Sequence, residues 1–330
     1  MIRKWKLWIA AALCLVALRP ARAQAPDIVT LELERENTVG YMEDLVDPSK
    51  RATSPNMVNG TLRNFTSFIG FADIVSVNGK PAKGTWISKG QFIMLGPSPT
   101  PGQGIADIAR GSVAVITVEI LQSDGTPVGT IMISGFTSGL TPPGVPLGSA
   151  WNLAVVGGTG AYLGARGTFV TVAPFAFRVA SVEEDPANRR IHGGPSGRFI
   201  VYLIPTSRPE IVSTVGGPAV FHSDFSLVTS SRPARSGETL IVRATGLGPT
   251  RPGLTPGTPF PESPFQQVSS PVEVTVNGRP AEVLNQIGWP GTSDTYRLDI
   301  RVPDGTTPGM AALQLTAAFI QGREVSIPIQ

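Results

Sequence analysis

Apolar residues in this chain come in short runs rich in Val, Ile, Thr and Phe, separated by glycine and proline. Such runs predict strands at Ile28–Arg35, Thr85–Leu95, Ser112–Leu121, Val128–Phe136, Trp151–Val156, Ala161–Val172 and Arg198–Ile204. A second series is predicted at Thr239–Ala244, Val272–Val276, Tyr296–Val302, Ala311–Ala318 and Glu324–Ile329. Asp124-Gly125 and Asn277-Gly278 adjoin these runs and read as hairpin turns, because glycine reaches positive φ without steric cost. Beyond residue 23 there is no apolar stripe of helical period about 12 residues long. The 37 glycines and 31 prolines are spread as turn punctuation rather than massed in one block, so the chain reads as all-β.

The first residues follow a different pattern. Arg3, Lys4 and Lys6 precede an uncharged apolar run, Leu7–Leu18, and Ala21-Arg22-Ala23 supplies small residues where a signal peptidase reads. Residues 1–23 are expected to be a signal peptide cleaved after Ala23, giving a secreted or periplasmic protein with no membrane span after cleavage. The run is far short of the roughly 20 residues a spanning helix needs. Cys14 follows Leu13 rather than the small residue a lipobox requires, and it goes with the peptide.

That reading changes the charge. The full chain has 27 basic and 24 acidic residues, a net charge of +3. Five of the basic residues, Arg3, Lys4, Lys6, Arg19 and Arg22, precede the cleavage point, which leaves 22 against 24 and a net charge of −2. No basic patch remains to suggest nucleic acid as a partner. The mature chain also lacks cysteine, which excludes disulfides, a thiolate nucleophile and a cysteine metal site.

Pro205-Thr206-Ser207-Arg208-Pro209 and Gly216-Gly217-Pro218 suit an exposed connection between compact units. The expected layout is a first domain over 24–205, a linker over 206–218 and a second domain over 219–330.

The first domain carries one motif. Val155-Val156-Gly157-Gly158-Thr159-Gly160-Ala161-Tyr162-Leu163-Gly164-Ala165-Arg166-Gly167 has the glycines of a dinucleotide loop, but such a loop must open a helix. Here Thr168-Phe169-Val170-Thr171-Val172 continues as a strand instead. The segment resembles the "VVGGTG-aromatic-x-x-ARG" hairpin of the dirigent and allene oxide cyclase barrel group. The resemblance implies a closed antiparallel barrel of about eight strands with room for an apolar ligand. Dirigent-like proteins steer the coupling of phenoxy radicals made by a separate oxidase, and allene oxide cyclases guide ring closure of a fatty-acid epoxide. Both act chiefly by positioning. The acidic residues those activities use do not align outside the hairpin.

Strand alternation puts Tyr162 and Arg166 on one face, able to line a barrel mouth, and groups Glu119 with Val113, Val115 and Thr117. Arg166, Tyr162 and Glu119 are the ligand-pocket candidates. Each has a plainer reading: a surface or salt-bridged arginine, a packed tyrosine and a solvated carboxylate. Gly157, Gly158 and Gly160 read as turn glycines. The two histidines, His192 and His222, lie apart and without a ligand signature, and Glu183-Glu184-Asp185 lacks calcium-loop spacing. No metal and no cofactor are expected.

The second domain resembles the immunoglobulin-like (IPT/TIG-like) C-terminal domains of secreted bacterial proteins. The residues concerned are Ser236-Gly237-Glu238-Thr239-Leu240, Thr245-Gly246-Leu247-Gly248-Pro249-Thr250, Val274–Val283, Tyr296–Pro303 and Pro308-Gly309. The resemblance implies a β-sandwich serving as a spacer or a contact surface for a cell-surface or extracellular protein. The expectation is an exported protein whose barrel binds a small hydrophobic, aromatic or phenolic ligand. Two alternatives stay open, a dirigent- or cyclase-like catalyst and a structural or adhesive protein without ligand.

Overall fold

The computed structural model describes residues 28–44, 66–94, 110–138, 152–172, 176–255 and 257–330. The signal-peptide reading of residues 1–23 and the strand ends expected at Leu95 and Trp151 lie outside them.

The first half of the chain is a closed barrel. Its strands are β1 (Val29–Asp44), β2 (Thr66–Val77), β3 (Lys80–Met94), β4 (Arg110–Gln122), β5 (Pro127–Ser138), β6 (Asn152–Gly160), β7 (Arg166–Thr171), β8 (Arg178–Ser181) and β9 (Gly197–Ile204). The order β2-β3-β4-β5-β6-β7-β9-β1 closes by pairing β1 with β2, and all eight neighbours run antiparallel. Closure leaves no free edge in this ring. Only β8 stands outside it, parallel to Val39–Met42 of β1.

Local chemistry accounts for the turns. Asn78 and Gly79 join β2 to β3 with φ of 52° and 72°, the mirror-image turn that suits the twist of paired strands. At the β4–β5 turn the Asp124 carboxylate accepts from Thr126 N at 2.8 Å. Along β4, Ala114, Ile116, Val118 and Ile120 are buried while Val113 and Val115 are about half exposed, the alternation of a wall with a filled interior. In β1 that alternation changes phase. Leu31, Leu33 and Arg35 face inward, but a bulge between Glu36 and Val39, with Asn37 at φ 50°, adds one residue. Beyond it Met42 faces the barrel core, and Val39 and Tyr41 pack outside against Ala180 and Phe71.

The second half is a sheet that curls around its own core. Its longer strands follow the pairing order Thr239–Thr245, Thr295–Arg301, Arg279–Gly288, Val272–Val276 and Gly309–Ala317, and Val325–Ile329 pairs with the last. Arg279–Gly288 turns the corner: its start pairs with Val272–Val276, and from Glu282 it pairs with Thr295–Arg301. Val242, Leu298, Ile300, Leu313 and Ile327 lie in the core so enclosed. Glu210 and Ile211, within the stretch expected as linker, already pair with Thr245 and Ala244.

The two halves share a boundary at one end of the barrel, where β1 begins, β9 ends and the short hairpins turn. Ala318, Phe319 and Ile320 of the second half belong to the barrel's own apolar cluster and are almost fully buried there. Asn78 Nδ2 donates to Phe319 O at 3.1 Å, Gln122 Nε2 donates to Ser269 O at 2.7 Å, and Lys80 pairs with Glu273. The barrel floor is therefore built by a turn from the far end of the chain.

Candidate functional site

The glycine-rich segment folds as β6, a turn and β7, with no helix. Gly160 sits at φ 61°, and a Cβ there would lie 2.5 Å from Val128 O, so only glycine fits. Ala161–Ala165 form the turn, held by Tyr162 N donating to Thr159 O and Ala165 N to Tyr162 O, each at 3.1 Å. The sequence reading ran a strand through this stretch. Because the turn interrupts the alternation, Tyr162 and Arg166 part company.

Tyr162 enters the barrel floor, 2 % exposed, where its hydroxyl donates to Ala318 O at 3.0 Å and burial pushes its pKa up. Arg166 is exposed on the outer side and donates to the carbonyl oxygens of Val156 and Ala165. Glu119 is exposed on the outer wall of β4, on the same face as Val113 and Val115, at a shallow groove of about 410 Å³ that also touches Thr159 and Pro249. The three candidates thus occupy three separate places.

The chemistry inside the barrel comes from residues the sequence reading did not single out. Arg35 is 2 % exposed, and its guanidinium carbon lies 4.7 Å from the centre of the Trp86 ring. Burial lowers its pKa to about 10. A buried cation is costly, and a desolvated stack on an indole recovers about 2 kcal/mol of that cost. Two glycines make the space. Gly197 is opposite Arg35 in register, and a Cβ there would lie 3.3 Å from the Arg35 Nε. A Cβ on Gly70 would lie 2.4 Å from Ser88 Oγ and 3.0 Å from the Trp86 ring. Trp86 and Ser88 are neighbours on the inner face of β3, 3 % and 1 % exposed. Neither Trp86 Nε1 nor Ser88 Oγ has a hydrogen-bond partner among the described residues.

A lateral cleft reaches Arg35. Where β9 begins beside β1, a cleft of about 420 Å³ is lined by Glu34, Arg35, Glu36, Val172, Ser196 and Gly197. A larger cleft of about 730 Å³ lies between the β6–β7 turn and the second half, lined by Leu163, Leu254, Phe260 and Tyr296 among others. Its tyrosine hydroxyl is already bound to Gly248 O at 2.6 Å.

The remaining ionic groups have structural partners. Asp73 accepts from Arg189 at 2.6 Å, Arg190 at 2.9 Å and Asn37 at 3.0 Å. Burial raises its pKa, but these bonds outweigh burial and hold it below the usual carboxylate value. Glu184 is lowered by its paired bonds from Arg178 at 2.7 and 2.8 Å, with His192 Nδ1 3.4 Å away. His222 lies 2.5 Å from Glu238 and ties down the second half's loop. Among the described residues no His, Cys, Asp and Glu gather as a metal site, and no helix is long and apolar enough to cross a membrane. No family model, no curated protein and no solved structure matches this chain.

Proposed function

We propose that this is an exported binding protein whose barrel holds a small apolar or aromatic molecule. The observation that carries this reading is the Arg35 guanidinium, buried in an apolar barrel against the face of Trp86 and beside a lateral cleft. An eight-stranded barrel is either packed with its own side chains or holds one small ligand. A cation with an aromatic platform is the equipment of a pocket that orients a ligand.

The finer identities belong to the same proposal. The eight-stranded ring, with the Val155–Gly167 segment on its β6–β7 hairpin, supports a dirigent- or allene oxide cyclase-like barrel. The short antiparallel strands around one core in the second half support an immunoglobulin-like unit, which here also closes the barrel floor. Export rests on the N-terminal pattern of charge, apolar run and small residues.

Native mass spectrometry of the mature protein purified from its own source tests the reading. A small molecule that leaves on denaturation is the expected result. A bare mass that persists after incubation with apolar and phenolic mixtures would leave the barrel as a scaffold.

A further inference from the structure

Two arginines of the second half stand where like charges repel. Arg243 and Arg297 are directly opposite each other on the paired strands Thr239–Thr245 and Thr295–Arg301. Side chains so placed start about 5 Å apart, and two of one sign weaken the pairing. Arg297 is answered on its own strand. Asp299 accepts from its Nε at 2.8 Å and from its Nη2 at 3.2 Å, and Asn285 donates to the same carboxylate. Arg243 has no such answer: among the described residues no carboxylate pairs with it, and its buried Nε has no hydrogen-bond partner. Asp224 and Glu238, in the segment that leads into Thr239–Thr245, are already engaged by Arg232 and His222.

Aromatic rings hold the two cations in place without neutralising them. The guanidinium carbon of Arg243 lies 5.8 Å from the centre of the Trp289 ring, and that of Arg297 lies 5.7 Å from the Phe225 ring. The two rings meet edge to face at 6.4 Å. Phe225 is 54 % exposed and stands at φ 62°, a backbone conformation that is strained for a bulky side chain. Its turn is fixed by Phe225 N donating to His222 O and Ser226 N donating to Asp224 Oδ1, each at 3.0 Å. Burial does not account for a strained aromatic that is more than half open to water.

We propose that this face docks an acidic segment of a partner protein, with a carboxylate side chain on Arg243 and an adjacent apolar side chain on Phe225. The site is separate from the barrel and does not rest on the reading of the barrel as a ligand pocket. Charge selects the first contact. Two guanidiniums against the one carboxylate of Asp299 leave a single positive charge, and the planar guanidinium fork matches a carboxylate with two bonds. The exposed ring selects the second, since arginine and aromatic residues are the usual anchors of protein interfaces. A polypeptide carries a carboxylate and an apolar group side by side, whereas a sugar polyanion would bring hydroxyls to Phe225.

The test is calorimetric titration of the mature full chain at low salt with poly-L-glutamate, a glutamate–tyrosine copolymer, polygalacturonate and sodium sulfate. The copolymer is expected to bind most tightly, and to weaken as salt is raised. Arg243→Gln is expected to lower the affinity for both polypeptides about tenfold or more, and Arg243→Lys, which keeps the charge but not the fork, by less. Phe225→Asn, a residue that takes positive φ readily, is expected to bring the copolymer down to the affinity of poly-L-glutamate and to melt no lower than the wild type. The salt dependence and the copolymer's advantage stay readable in the wild type if Arg243→Gln fails to fold. Failure of both polypeptides to bind, or binding that survives Arg243→Gln, overturns the proposal. Polygalacturonate or sulfate binding as tightly as the copolymer makes this a general anion site and overturns protein recognition. A lower melting temperature for Phe225→Asn gives the ring a structural task and overturns its part in docking.

Discussion

Tyr162 does at the scale of one residue what the two halves do at the scale of the molecule. Its ring fills the barrel floor and its hydroxyl reaches the Ala318 carbonyl. Tyr162→Phe keeps the ring and strands that carbonyl, so a loss of about 1–3 kcal/mol is expected, read as a lower urea midpoint at unchanged slope. Arg166→Ala is expected to shift the same midpoint by less, because the Val156 carbonyl it holds lies at an exposed edge where water substitutes. The sequence suggested both residues through one motif, yet their roles differ. Alternation predicts faces only while a strand continues, and the turn at Ala161–Ala165 ended it. Arg35 was more legible than it looked. It follows Leu31 and Leu33 in strict alternation, so its inward direction was written in the predicted strand Ile28–Arg35. What alternation does not supply is the partner two strands away, since Trp86 lies on β3 and is brought to Arg35 by the register of β2 between them.

Among the elements, the excursion from β8 to the short helix Arg189–His192 is held to the barrel by ions. Asp73 receives Arg189 and Arg190, and Glu184 receives Arg178. Both carboxyls have pKa values lowered by folding. A lowered folded value means their contribution is complete above the usual carboxylate range, about pH 4, and is lost as pH falls through the folded values. Hydrogen exchange across residues 178–192 is therefore expected to rise, relative to β4 and β5, between pH 7 and pH 3. Uniform change across all of these segments would remove these pairs as the acid-sensitive element. Prediction at this scale also missed whole strands, among them β2, β8 and Arg279–Gly288. β2 contains Gly70 and the polar pair Asp73 and Ser76, which blurred its apolar run. The signal that reveals it is the Asn78-Gly79 turn, the same dipeptide that marks the hairpin at Asn277-Gly278. The bulge at Asn37, which lets β1 serve two layers, has no comparable mark beyond an asparagine able to take positive φ.

For the whole molecule, the all-β character and the hairpins were legible, but the way one half completes the other was not. Nothing in the local pattern around Ala318-Phe319-Ile320 says that its apolar residues fill a different core from that of the strand before them. Phe319 stands at φ 64° and Ala318 at φ 50°, a turn that asparagine and glycine would make with less strain. Phe319→Ala is expected to cost about 3–5 kcal/mol, as other large-to-small changes in cores do. The decisive measurement is calorimetry, where barrel and second half are expected to melt as one transition in the wild type. Two separate transitions, with only the second moved by Phe319→Ala, would show that the turn does not couple them.

The position of that turn in the chain also sets a clock. Tyr162 meets a carbonyl 156 residues further along, at position 318 of 330. During synthesis the ring of strands is complete by Ile204, but the last pieces of its floor emerge more than a hundred residues later. Until then the nascent barrel has an open apolar end and an unanswered phenol, so its most stable form is not yet available to it. A chain arranged in this way defers its commitment to the folded state until long after the barrel's own strands have been made.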